Sequence, residues 1–278
     1  MSVLPRVSIL TPTKNRRQFL SMSINNLLTT NYPKELLEWV ILDDGTERFI
    51  PDEGVLNNIK KIVAPIRVKY VYCDDNRFTT LGSKRNALVV LASSPYLVNM
   101  DDDDIHASNH IKNGIEFLLK HKRKTGLVGH NSFLCLFPYK EFKITYNRCS
   151  ETDLLTITEN SMIFTKKHWK LSGGFADITK GEGIRLLFGY TKACHLYSEK
   201  NTTVINLFHK KNLLDLSPLA ENAIVDVTLS AKTIGLVEFI TGENAPSLLL
   251  CKDDLGRVMQ YGTQKEVVER NKVQITPQ

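Results

Sequence analysis

Four consecutive carboxylates, Asp101-Asp102-Asp103-Asp104, close the apolar run Ser94-Pro95-Tyr96-Leu97-Val98-Asn99-Met100. Like charges this close repel, and each raises the proton affinity of the next. A hard divalent cation, or a ligand carrying one, neutralises such a cluster, and oxygen donors suit Mg²⁺ or Mn²⁺. An isolated acidic run is more often a solvated loop. This one follows a strand-like segment, and open α/β sheets bind ligands outside the carboxyl ends of their strands. Two more acidic features fall at predicted strand ends or turns: Asp43-Asp44, and Glu182 within Lys180-Gly181-Glu182-Gly183. The chain has neither a GxGxxG nor a GxxxxGK[ST] phosphate loop. A carboxylate-bound metal is then the means of handling a diphosphate, since it bridges the two anions and stabilises the departing one.

The elements that must position these residues follow from hydrophobic pattern. Val7-Ser8-Ile9-Leu10, closed by Thr11-Pro12-Thr13, predicts a first strand. Phe19, Leu20, Met22, Ile24, Leu27 and Leu28 recur at helical spacing, which predicts a helix over about 17–30. Glu38 to Leu42 predicts a second strand, Ile66 to Tyr72 a third, and Tyr96 to Met100 a fourth. A helix from Gly82 to Ala92 precedes the fourth strand, with Leu81, Ala87, Leu88 and Leu91 expected inward. This order predicts a parallel, Rossmann-like sheet. A helix over 111–120 follows, then a strand-rich stretch over 126–165 and short helices over 167–171 and 182–190. Beyond about 217 the character shifts to short strands, expected near 223–229, 236–240 and 247–250.

The bulk properties narrow the class. A chain of 278 residues with 42% hydrophobic and 24% charged residues can bury a sizeable core. The net charge of +6 is modest and points to no nucleic-acid partner. Basic clusters at Lys120-His121-Lys122-Arg123-Lys124 and Lys166-Lys167-His168 read as solvated helix ends, and are compatible with peripheral contact at an anionic membrane surface. The five cysteines contain no CxxC pair, which argues against a zinc site or a disulfide framework and for a reducing compartment, the cytoplasm. No run of about twenty apolar residues and no apolar leader are visible, so a soluble protein is expected.

Five pieces then fall in one order: Thr11-Pro12-Thr13 ending strand one, Val40-Ile41-Leu42-Asp43-Asp44-Gly45-Thr46, Lys84-Arg85-Asn86-Ala87, the Asp101–Asp104 run, and Gly173-Gly174-Phe175. Together they resemble the family 2 glycosyltransferases, over roughly residues 1–210. The resemblance implies an α/β chain of GT-A fold, a Rossmann-like, mixed but mainly parallel sheet flanked by helices. Its domain would span 1–216, with 1–104 the nucleotide-binding half and 105–216 the acceptor-binding half. Residues 217–278 would form a small C-terminal extension.

The resemblance also assigns roles. Thr11 and Pro12 would line the nucleotide base, Asp44 would bond its edge, and Arg85 would lie near base and phosphates. Asp101 and Asp103 match a DxD pattern, with Asp103 the metal anchor, Asp101 its partner and Asp102 toward the ribose or sugar. His209 would reach the metal or phosphate. Glu182 would be the catalytic base, with Asp177 its alternative. The implied reaction is a metal-dependent, inverting transfer of one sugar from a nucleotide-diphosphate sugar, foremost a UDP-sugar, with Mn²⁺ or Mg²⁺. The acceptor would be a glycan, a lipid-linked or a protein-linked group. Lys14 stands where an aromatic residue often follows Thr-Pro-Thr, Ala176 follows Gly-Gly-Phe, and Gly181-Glu182 replaces an acidic pair. No Gln-x-x-Arg-Trp motif is present, which favours a non-processive enzyme. The alternatives are a sugar-phosphate nucleotidyltransferase and a non-catalytic nucleotide-sugar-binding protein of the same fold.

Overall fold

The element order alternates strand and helix from the start. In chain order it runs β1 (Val7–Thr13), α1 (Leu20–Thr29), β2 (Leu37–Asp43), α2 (Glu53–Ile62), β3 (Arg67–Tyr72), α3 (Leu81–Leu91), β4 (Tyr96–Asn99) and β5 (Asp104–His106). There follow α4 (His110–Lys120), β6 (Leu127–Gly129), β7 (Ser132–Phe137), β8 (Lys143–Arg148), β9 (Ile163–Thr165), α5 (Lys166–Ser172), α6 (Ile184–Phe188), β10 (Cys194–Leu196) and β11 (Val204–Leu207). This computed structural model describes residues 3–75, 77–121, 126–130, 132–138, 143–148, 157–189, 194–196, 204–209, 229–230, 250–252 and 258–260. Expected features at 122–124, 149, 223–228 and 236–240 lie outside the described residues.

The chain divides into two units, Met1–Phe133 with Arg148–Ile205, and Leu134–Asn147 with Asn206–Gln278. The first carries a seven-stranded sheet in the order β10-β6-β9-β4-β1-β2-β3. Its pairs are parallel except those of β9, which runs antiparallel to β4 and β6. The second unit contains most of β7 and β8 and a small sheet of β12 (Leu229–Ser230), β13 (Leu250–Lys252) and β14 (Val258–Gln260). Among the described residues, no helix is long and apolar enough to cross a membrane.

Every position of β1 and β2 is buried. That is the signature of a sheet covered on both faces. Successive side chains alternate between the faces. Val7, Ile9, Trp39 and Ile41 pack with residues of α1, α2 and α4, while Leu10, Val40 and Leu42 pack with residues of α3 and α6. From β1 the chain steps to β2 and β3 on one side, then crosses to β4 on the other. The switch point therefore lies between β1 and β4, where strands of this class open a crevice at their carboxyl ends.

Two local findings differ from the sequence expectation. The helix α2 was not foreseen between strands two and three. Asp52 caps it by accepting from the Val55 N–H at 2.9 Å. Only Leu56 and Ile59 of α2 are buried, and asparagines and lysines dilute the apolar stripe. In α3 the expected Leu88 is buried, together with Gly82, Lys84, Arg85 and Val89, whereas Leu81, Ala87 and Leu91, also expected inward, are only partly buried. Two cations of this helix thus point into the protein.

The first turn of α3 lies directly on the backbone of 176–178. The Gly82 N–H donates to the Ile178 carbonyl at 3.0 Å. A Cβ at position 82 would fall 1.7 Å from the Ala176 carbonyl oxygen, so backbone must shift to admit it. Gly82→Ala is expected to destabilise by about 1–3 kcal/mol. The check is thermal melting, with a fall of roughly 5 °C expected. An unchanged melting temperature contradicts this close approach.

Candidate active site

The ends of β1, β2 and β4 bring the acidic residues together. Thr11 is only 1% exposed, and its hydroxyl serves the sheet. It donates to the Met100 carbonyl at 2.8 Å and accepts from Trp39 Nε1 at 2.9 Å. Pro12 is likewise buried. The side chain that reaches the acidic run from β1 is Thr13, whose Oγ1 donates to Asp102 Oδ2 at 2.5 Å.

The two aspartates after β2 separate in role. Asp43 organises the turn, accepting from the Gly45 N–H at 3.0 Å, the Phe49 N–H at 2.7 Å and the Tyr70 hydroxyl at 2.7 Å. Asp44 instead meets cations. Lys84 Nζ bonds its Oδ1, and Lys14 Nζ lies 3.6 Å from its Oδ2.

Three consecutive residues of α3 reach three different parts of the site, because each step around a helix turns about 100°. Lys84 Nζ also donates to the Thr13 carbonyl at 3.1 Å, tying β1 to β2 through one ammonium. Burial lowers the Lys84 proton affinity, and the Asp44 carboxylate offsets part of that. Arg85 is fully buried. Its Nη1 and Nη2 grip both oxygens of Asp101 at 2.9 and 2.8 Å, while Nε donates to Glu182 Oε1 at 2.7 Å. Burial opposes the Arg85 charge, but Asp101 and Glu182 more than compensate and hold it protonated. Asn86 latches the Gly-Gly-Phe segment. Its Oδ1 accepts from the Phe175 N–H and from Trp169 Nε1, each at 2.8 Å, and its Nδ2 donates to the Phe175 carbonyl at 3.0 Å.

The acidic run is buried from Asp102 onward. Arg16 bridges it, with Nη1 3.0 Å from Asp102 Oδ1 and 2.7 Å from Asp103 Oδ2. Burial and the Asp103 charge push the Asp102 carboxyl up to about 7, against Arg16 and Thr13, which favour its charged form. Asp104 accepts from Asn160 Nδ2 at 2.5 Å. Burial and the neighbouring carboxylates raise it well above the carboxylate range. Two arginines, Arg85 at Asp101 and Arg16 at Asp102 and Asp103, together with the raised proton affinities of Asp102 and Asp104, therefore offset the charge of this cluster.

The remaining expected residues fall as follows. Glu182 is 2% exposed and bonded to Arg85, so its carboxylate is enclosed. Asp177 is exposed and accepts from the Thr80 hydroxyl at the start of α3. His209 is buried and belongs to the second unit. Arg16, Lys84 and Glu159 were absent from the expected set. Lys84 had a readable signal, since it precedes Arg85 on one helix. Arg16 and Glu159 had none, because neither stands in a pattern tied to a strand end.

The comparisons with known proteins agree with this architecture. The family model described as "Glycosyl transferase family 2" matches residues 8–167, and the chain belongs to that family. A protein named for teichuronic acid biosynthesis, the glycosyltransferase TuaG of Bacillus subtilis (strain 168), is 25% identical over 127 residues, 46% of this chain and 47% of its own length. A protein named for colanic acid biosynthesis, the glycosyl transferase WcaA of Escherichia coli (strain K12), is 29% identical over 136 residues, 47% of this chain and 44% of its own. The chain thus spans just under half the length of these curated relatives. The fold is GT-A. A mannosyltransferase, PcManGT of Pyrobaculum calidifontis, solved with GDP-Man and Mn²⁺, superposes with TM-score 0.57 at 15% identity, over 76% of this chain and 59% of that one. TarS 1-349 of S. aureus, solved with UDP-GlcNAc, gives 0.53 at 17% identity, over 84% and 65%.

Proposed function

We propose that the chain transfers a single sugar, with inversion at C1, from a nucleotide-diphosphate sugar to a glycan, lipid-linked or protein-linked acceptor. A UDP-sugar is the foremost donor. The observation that carries this reading is the convergence of Asp44, Asp102 and Asp103 at the β1–β4 switch point. Carboxylates gathered there suit a cationic, phosphate-bearing ligand. Two relatives in structure are named with nucleotide sugars, GDP-Man and UDP-GlcNAc.

The donor set fits a divalent ion in its chemistry. Among the described residues no group of three or more His, Cys, Asp or Glu is arranged to hold one. Yet Arg16 shows that Asp102 and Asp103 converge on one cation, and both offer hard oxygens. As the sequence resemblance assigns them, Asp103 and Asp101 would hold Mn²⁺ or Mg²⁺, with Arg16 displaced from Asp103 and Arg85 still bonded to Asp101. His209 enters this set from the sequence resemblance alone. The bound ion supplies charge to stabilise the leaving diphosphate.

The chain's own groups do the rest. Asp44 accepts an imide N–H of the base, as of uracil, once Lys84 and Lys14 release it toward the phosphates. Pro12 and the β1 end wall the base. Arg85 sets the Asp101 carboxylate through a two-pronged bond that a lysine could not make. Glu182, enclosed and paired with Arg85, acts as a positioning group. That enclosure also favours a second reading, a nucleotide-sugar-binding protein without transfer. Cys73 and Cys135 are free thiols. They favour a reducing compartment such as the cytoplasm.

The binding has a pH signature. Asp102 binds its proton up to about pH 7 in the folded protein, against an ordinary value of 3.8. The folding stability tied to that proton is complete below pH 3.8 and lost as pH rises to 7. A cation entering the cluster must displace it below pH 7, at about 1.4 kcal/mol per pH unit. The affinity for UDP with Mn²⁺ is expected to be about tenfold weaker at pH 6 than at pH 8. His106, pushed down to about 4 by burial, acts on stability in the opposite direction. Titration calorimetry, rather than melting alone, is therefore the check, and affinity independent of pH contradicts it.

The function itself is tested by incubating the protein with UDP-glucose, UDP-N-acetylglucosamine and GDP-mannose in the presence of Mn²⁺. Release of UDP or GDP, with sugar transferred to water or acceptor, is the expected result. Tight nucleotide binding without turnover supports the non-catalytic reading. Pyrophosphate release from UTP and a sugar phosphate overturns both.

A further inference from the structure

Inverting transfer needs a carboxylate that can receive a proton, and neither expected group suits the task. Glu182 is enclosed, with Oε1 taken by Arg85. Asp177 is exposed and bonded to Thr80. A third carboxylate, Glu159, lies near Glu182. Because β9 runs antiparallel to β4, with Val98 opposite Ile163, the segment before β9 returns to the carboxyl end of β4. The Asn99 N–H donates to the Met162 carbonyl at 3.0 Å, and Asn99 Nδ2 donates to the Glu159 carbonyl at 2.8 Å. Asn160 bonds Asp104 at 2.5 Å. These bonds fix Glu159 at the strand end that carries the acidic run.

The Met162 methyl and the Glu159 side chain together fill the place a side chain at position 183 would take, with Met162 Cε 2.7 Å from its Cβ. A Cβ on Gly183 would stand 3.0 Å from Glu159 Cγ and 3.2 Å from its Oε1. Glu159 Oε1 accepts from the Gly183 N–H at 3.3 Å, which orients the carboxyl next to Glu182 in the chain. Glu159 retains some solvent exposure, whereas Glu182 is buried.

We propose that Glu159 is the carboxylate that takes the acceptor's proton, with Glu182 and Arg85 as positioning groups around it. This rests on the transfer reading above. The acceptor oxygen attacks C1 of the donor sugar and the bond from C1 to the diphosphate oxygen breaks. The electron pair leaves with the nucleoside diphosphate, and the acceptor's proton passes to the Glu159 carboxylate. Burial and the nearby Glu182 charge raise the proton affinity of Glu159. That direction brings a base closer to its working pH.

The test uses the full chain with Mn²⁺ and whichever of UDP-glucose, UDP-N-acetylglucosamine and GDP-mannose the wild type turns over. Glu159→Gln keeps the Gly183 bond and is expected to bind UDP or GDP within about threefold of wild type. Its turnover is expected to fall by about 10²–10⁴-fold. Azide attacks C1 without giving up a proton. It is therefore expected to raise turnover of Glu159→Ala at least tenfold and to yield a glycosyl azide, while leaving wild type little changed. Should Glu159→Gln fail to fold, Glu159→Asp, which withdraws the carboxylate by one methylene, is read in the same way. Turnover of Glu159→Gln within tenfold of wild type, parallel loss of nucleotide binding, or no azide rescue each overturns the assignment to Glu159. A wild type that binds nucleotide but turns over no donor overturns the transfer reading instead.

Discussion

Arg85→Met is expected to lose both stability and sugar transfer. The guanidinium is buried and serves two carboxylates at once, Asp101 through both oxygens and Glu182 through Oε1. Removing it leaves two anions facing each other, one of them 2% exposed. Breaking a buried ion pair from one side costs about 3–5 kcal/mol, because the orphaned charge keeps its desolvation penalty. Urea unfolding reads this loss directly, and a change below about 1 kcal/mol contradicts the bridging role. Arg85→Lys separates the two effects. An ammonium keeps the charge but lacks the planar fork. It is expected to fold with a smaller loss, yet to transfer sugar at least about a hundredfold more slowly, since Asp101 is no longer held in one orientation.

Asp103→Asn is expected to move function and stability in opposite directions. The cluster holds Asp101 to Asp104 in adjacent positions, and after burial the Asp103 charge is the main cause of the raised proton affinity of Asp102. Neutralising it relieves that repulsion, and Arg16, which loses its Asp103 ion pair, keeps Asp102 as a charged partner, so the melting temperature stays level or rises. The same change removes the oxygen that would anchor a divalent ion. Mn²⁺-dependent UDP affinity is expected to drop by about a hundredfold, the upper end of what losing an outer-shell partner of a metal ligand costs. Stability gained with binding lost is the mark of a site held against the preference of the fold. A variant that loses stability and retains Mn²⁺-dependent UDP binding contradicts the role given to Asp103.

Much of this was legible in the sequence, for stated physical reasons. The strands β1, β2 and β4 are largely apolar runs, β3 alternates, and each stops at a polar or acidic turn, so both strands and crevice could be placed. The family resemblance rested on those same strand ends. Asp43 and Asp44 looked alike in sequence. They separate only in three dimensions, where Tyr70 and Phe49 meet one and Lys84 and Lys14 the other. Of the apolar residues expected on the inward face of α3, only Leu88 is buried. Here Lys84 and Arg85 are buried by pairing with carboxylates from distant strands and loops, which no local pattern records. Glu159 was invisible for a similar reason. Its neighbours Asn99, Asp104 and Gly183 come together through the antiparallel return of β9, a feature of topology rather than spacing.

The central claim is that the crevice at the ends of β1, β2 and β4 is a nucleotide-sugar donor site. Calorimetric titration of UDP into the wild type and into Asp44→Ala, each with and without Mn²⁺, tests it most directly. The predicted result is one-to-one binding by wild type that strengthens at least about tenfold with Mn²⁺ and is lost on chelation. In Asp44→Ala, binding is predicted to weaken by about tenfold or more, as expected when a charged hydrogen-bond acceptor is removed. UDP binding that ignores both Mn²⁺ and Asp44, or no binding of UDP or GDP at all, contradicts the claim.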